Sequence, residues 1–157
     1  MKHKGVQHMS IIAMANVIDL ARVHLNNNEM QHALRTAKNV LDTAIFYDLS
    51  KEEFHLEIYT TVLLYHILDK VNMTFGAIDE LFNGNDEVGL DVAQALNLLA
   101  KGKDENEEEY LKRIAESKNR IAIIVTRADL KDHLIQEGSG LTNENKENYI
   151  NLMRYLI

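Results

Sequence analysis

Residues 59–82 read YTTVLLYHILDKVNMTFGAIDELF. Val62 through Leu68 is apolar on nearly every side at helical spacing, with Tyr65 and His66 set inside the run. A helix without a polar face suits an interior, because no side of it is satisfied by water. Ser50 followed by Glu53 has the spacing of a capping box, in which each side chain satisfies the other residue's backbone N–H. The pattern predicts a central helix over 51–70. Thr74 is a candidate N-cap for a short helix ending near Phe82, and Asn83-Gly84-Asn85 reads as a turn.

Helical periodicity continues on both sides. Ile12, Val17, Leu20 and Val23 suggest a first helix over 7–26, and Asn26-Asn27-Asn28 a polar break. Leu34, Ala37, Leu41 and Ile45 suggest a second over 29–47. Further helices are expected over 87–100, 106–116 and 118–136, the last with Ile121, Ile124, Val125 and Ala128 on its apolar side. Gly138-Ser139-Gly140 ends it, and Thr142 caps a final helix with Tyr149, Leu152, Met153 and Leu156 facing inward. No alternating strand pattern and no internal repeat is visible. The expected fold is all-α, one helical domain over 1–157 with about eight helices. The chain has no proline, which agrees with a stack of uninterrupted helices.

Composition narrows the function classes. At 157 residues, 46% hydrophobic and 26% charged, the chain has the make-up of one water-soluble globular domain. No apolar run reaches the ~18 residues needed to span a bilayer, and the first residues lack a signal-peptide pattern. A net charge of −7 argues against general nucleic-acid binding, so a phosphate ligand needs a local basic patch. The absence of cysteine removes disulfides and thiolate ligands, and fits a cytoplasmic location.

Five motifs in order carry a family resemblance. They are His32-Ala-Leu-Arg-Thr-Ala, Leu63 through Lys70, Met73 through Phe82, Glu109-Tyr110-Leu111-Lys112-Arg113-Ile114, and Val125 through Leu134. Together, over about His24 to Tyr155, they resemble the HD-domain phosphohydrolases, in particular the small RelA/SpoT-type (p)ppGpp hydrolases. The resemblance implies a helical domain with a metal-binding cleft. It assigns His32 as the first metal ligand and Asp129 as the last, and it brings Tyr110 to the ligand pocket.

The middle of the pattern departs from the family. A His-Asp pair of metal ligands is replaced by Tyr65-His66, and a following Glu-Asp pair by Asp69-Lys70. The family's phosphate-contacting Lys is Thr126, with Arg127 beside it, and the basic loop before the first His is reduced to residues 25–29. Tyrosine is a weak ligand unless ionised, and its ordinary pKa is about 10. Lys70 adds positive charge where a metal's field is already positive.

These departures leave alternatives. His32, His66 and Asp129 form a candidate two-His-one-carboxylate site suited to manganese, iron or zinc. Against it stands a metal-free cleft in which His32 hydrogen-bonds Asp129, and Tyr65 fills the ion's space with its hydroxyl held by Asp129 or His32. The metal-free cleft is the preferred expectation, with manganese the metal if one is held. Asp69 and Lys70 are candidate catalytic groups or helix-end charges at the surface. Arg127, Arg120, Lys131 and Arg35 are candidate phosphate contacts or solvated charges. His24, His55 and His133 have no spacing that suggests a second metal site. The expected function is a non-catalytic HD-type module that takes a nucleotide or phosphate ligand, or a protein partner, through His32, Tyr65, Lys70, Arg127 and Tyr110. The alternatives are a metal-dependent nucleotide (pyro)phosphohydrolase and a helical interaction module.

Overall fold

The computed structural model describes residues 3–46, 52–71, 74–82, 86–136, 140 and 142–156. Eight helices and no strand occur among the described residues: α1 His3–His24, α2 Asn27–Phe46, α3 Glu52–Tyr65, α4 Phe75–Leu81, α5 Asp86–Leu99, α6 Glu107–Ser117, α7 Arg120–Gln136 and α8 Asn143–Arg154. The all-α architecture is as the periodicity predicts. No helix among them is long and apolar enough to cross a membrane. Ser50 and the Asn83-Gly84-Asn85 turn lie outside the described residues.

Two helices organise the bundle. α3 packs on α1, α2, α5 and α7, and α7 packs on α2, α3, α5, α6 and α8. Their inner residues Ile58, Val62, Leu64, Ile124, Val125 and Ala128 are fully buried, as all-round apolar segments must be. Two apolar clusters result. One gathers Leu99, Leu111, Ile114 and Leu156 around the inner faces of α3 and α7. The other gathers Val17, Ala33, Ile78 and Phe82 around Leu63, Leu64 and Ile67. Tyr65 packs against both, so it stands at their seam.

α3 stops at Tyr65 rather than running to 70 as the pattern predicts. The His66 side chain explains the stop. Its Nδ1 lies 2.6 Å from the Val62 carbonyl, which the His66 backbone N–H reaches only at 3.4 Å. A side chain that takes the i−4 carbonyl competes with the helix ladder. The next bonds tighten to a three-residue step, Ile67 N–H to the Leu64 carbonyl and Leu68 N–H to the Tyr65 carbonyl.

Two helices are rotated from the expected faces. Val23 is 78% exposed and Leu34 is 57% exposed. The buried stripe of α1 is Ala13, Val17 and Ala21, and that of α2 is Ala33, Thr36 and Val40. Small residues line these stripes because close helix packing leaves no room for larger ones. The choice turns His32 inward.

The ends are capped by short-range chemistry. Asn26, expected as part of a break, is the N-cap of α2: Asn26 and Glu29 each accept a hydrogen bond from the other's backbone N–H. Asn106 and Glu109 do the same for α6. Thr74 and Thr142 cap α4 and α8 as expected. Arg113 donates to the Leu98 and Ala100 carbonyls and pairs with Glu105, so its fork satisfies orphan carbonyls at the end of α5.

Candidate metal centre

Asp129, Asp132 and His133 are spaced i, i+3, i+4 along α7 and share one face. α2 runs against that face and brings in His32, while the turn at the end of α3 brings in His66. The cluster therefore joins three elements that the bundle packs together.

His32 sits between two carboxylates. Its Nδ1 lies 2.6 Å from Asp132 Oδ2 and its Nε2 lies 2.9 Å from Asp129 Oδ1. Asp132 is buried and is held from the far side by Arg35 Nε at 2.9 Å. A carboxylate on one imidazole nitrogen fixes the ring so that the other nitrogen points into the site. Hydrogen bonding to Asp129 raises the His32 pKa above its ordinary value; burial opposes this, and Asp132 adds to it.

His66 is arranged differently. A carbonyl only accepts, so the short contact with Val62 makes Nδ1 the protonated nitrogen. In the neutral ring, Nε2 then carries a bare lone pair. That atom is buried, has no hydrogen-bond partner among the described residues, and lies 3.5 Å from Asp129 Oδ1. His133 Nε2 approaches the other Asp129 oxygen at 3.6 Å. Burial alone raises the Asp129 pKa, but His133, His32 and His66 outweigh it and hold the carboxyl well below the usual range. His32, Asp129 and His133 offer ligand atoms that all lie within 4.8 Å of one another. Convergent imidazole and carboxylate donors of this kind fit a divalent transition ion.

The cluster forms the floor of a cleft of about 700 Å³. Asp69, Lys101, Glu107 and Tyr110 are among its other lining residues, and Lys101 pairs with Glu107 at 2.9 Å. A second cleft of about 690 Å³ shares Tyr65, Glu107, Asp129 and His133, and adds Asn145, Asn148 and Tyr149 from α8. Tyr65 also lines the first cleft, but its hydroxyl is not held by Asp129 or His32 as expected. Tyr110, which lines the same cleft, donates its hydroxyl to the Leu99 carbonyl at 3.0 Å. Burial pushes the Tyr65 pKa far above its ordinary value, and that of Tyr110 up to about 12. Both phenols stay protonated at neutral pH, so neither is an anionic ligand.

The other sequence candidates are dispersed. Lys70 points back to α2, where it pairs with Glu29 and donates to the His24 carbonyl at 3.1 Å. It does not line either cleft, nor do Arg127, Arg120, Lys131 or Arg35. Asp69 lines the first cleft. Sequence reasoning passed over Asp132 and His133. Their i+3 and i+4 spacing from Asp129 is the available signal; His133 lacks a partner for a second site but stands one turn from a ligand of the first. No protein-family model, curated protein or solved structure matches the chain.

Proposed function

We propose that this chain is a metal-dependent phosphohydrolase of the HD-domain type, acting on a phosphate or pyrophosphate bond of a nucleotide held in the cleft. The carrying observation is the gathering of donors: His32, Asp129 and His133 offer ligand atoms within 4.8 Å of one another, and the buried His66 Nε2 stands 3.5 Å from the same carboxylate. Imidazole and carboxylate donors gathered this way fit a divalent ion lying among them. That ranks the metal-dependent reading above the metal-free module expected from Tyr65-His66. The ordered motifs around His32 and Asp129 support the family and the substrate class.

A divalent ion held by His32, Asp129 and His133 would supply Lewis-acid chemistry for water activation and phosphoryl polarisation. The chain's own residues do the rest. Arg35 and Asp132 hold the His32 ring in register. Val62 holds His66 with Nε2 inward. Asp69 is a cleft carboxylate placed to take a proton from the attacking water, and Lys101 is an ammonium for phosphate once it leaves Glu107. The Tyr65–Tyr110 pair keeps one wall neutral.

The test begins with protein purified without chelator. Elemental analysis and titration should find about one ion per chain, as one donor cluster implies. Phosphate release from (p)ppGpp and nucleoside triphosphates should then reach ~1 s⁻¹, an ordinary lower enzyme rate, and vanish in His66→Ala. Bound ion without turnover on any of these would leave a nucleotide-binding module and sink the hydrolase. Failure to bind any divalent ion would sink the metal-dependent reading as a whole.

A further inference from the structure

We infer that His133 is a metal ligand beside His32 and Asp129, and that the centre is an imidazole-rich site of the zinc class rather than a manganese site. This rests on the metal-dependent reading above. The set that His32, His66 and Asp129 make alone holds two nitrogens and a carboxylate, and tyrosine occupies position 65, where a third histidine is missing. The nitrogen lost there returns from α7, one turn beyond Asp129. Helical side chains lean toward the preceding turn, which directs the His133 ring onto Asp129.

Its surroundings hold it there. The ring stacks near-parallel to Tyr149, at 6.5 Å between centroids and 10° between planes. On its other side it lies 5.0 Å from the His32 ring. The bland alternative is a half-exposed i,i+4 histidine–aspartate pair, worth little by itself. That alternative accounts for His133 but not for the gathering around it, because His32 and Asp129 offer ligand atoms within 4.8 Å of its own and His66, only 8% exposed, faces the same carboxylate from the opposite element. His32 from α2 and His133 from α7 with one carboxylate make a donor set, not a surface pair, and the His66 ring stands beside it.

The donor set selects the ion. Imidazole suits zinc, nickel and ferrous iron, whereas manganese prefers oxygen ligands and stands at the weak end of the divalent affinity order. Two imidazoles and a single carboxylate therefore disfavour manganese twice. His32, Asp129 and His133 would leave a tetrahedral zinc one position for water or substrate.

Equilibrium titration of metal-free protein with zinc and with manganese tests this in wild type, His133→Ala and His24→Ala. Wild type should bind one zinc at least tenfold more tightly than manganese. His133→Ala should weaken zinc by about tenfold or more, the scale seen for losing even an outer-shell partner, while His24→Ala changes nothing. Cobalt bound in place of zinc should change its visible absorption in His133→Ala. Should that variant misfold, His133→Gln keeps the helix and gives the same reading. Unchanged zinc affinity and an unchanged cobalt spectrum would remove His133 from the ligand set and leave the hydrolase reading standing. Tighter manganese than zinc in wild type would overturn the class of ion alone. No binding of either ion would overturn this inference together with the metal-dependent reading, and phosphate release without any ion would overturn both in a different way.

Discussion

At the scale of single residues, protonation and hydrogen bonding decide what the cluster does. Without metal, His32 is held between Asp129 and Asp132, and its pKa is raised above 6.5. Its stabilising contribution is complete below that ordinary value and is lost as pH rises through the raised one. Asp129 works in the opposite sense. Its pKa is lowered from 3.8, so its contribution is present above that value and is lost as pH falls toward the lowered one. Chelated protein should be most stable between these limits. Denaturant unfolding across pH 4 to 9 measures it, and His32→Gln should flatten the alkaline limb. A wild-type stability that rises from pH 6 to 8 contradicts the assignment. Asp132 acts through another residue: it fixes the His32 ring and is itself fixed by Arg35. Asp132→Asn should lower metal affinity by about 10–100-fold, the usual effect of losing such a partner. Equal affinity in titration would mean that the Val62-held His66 and α7 alone set the geometry.

At the scale of elements, packing and caps fix where helices begin, end and face. Leu111 on α6 is fully buried against the α7 side of the core. Leu111→Ala should destabilise the fold by about 2–5 kcal/mol, transfer loss plus residual cavity, read by denaturant unfolding. Asn106→Ala removes the side-chain half of the α6 capping box and should cost about 1 kcal/mol. A loss as large as that of Leu111→Ala would mean that Asn106 does more than cap. The expected helices were legible because apolar residues recur with the helical period whatever the partners are. Their faces were less so. Leu34 is exposed while its neighbour Ala33 is buried against Val17, Leu63 and Leu64, because the face that α2 turns inward is set by the helices it meets and not by its own largest apolar residue. The end of α3 was illegible for a local reason: apolar periodicity continues to Leu68, but the His66 ring takes the Val62 carbonyl.

At the scale of the whole molecule, the bundle brings three distant segments to one carboxylate, so ion binding and folding are coupled. An ion that binds only the folded state at a hundred times its Kd adds about 2.7 kcal/mol. Removing the ion with chelator should lower the melting temperature, and zinc should restore it. A melting temperature indifferent to both would mean that the cluster is structural without metal. The sequence by itself determined the helical class, most helix positions, two caps, and the candidacy of His32, His66 and Asp129. These depend on periodicity, capping chemistry and motif order, which are properties of neighbouring residues. The packed bundle was needed to show that Lys70 turns away to Glu29, that Tyr65 lines the cleft beside Tyr110, and that Asp132 and His133 join the site. Those outcomes depend on which faces of α2, α3 and α7 meet, and the meeting is set by close packing among residues as far apart in the chain as His32 and Asp132.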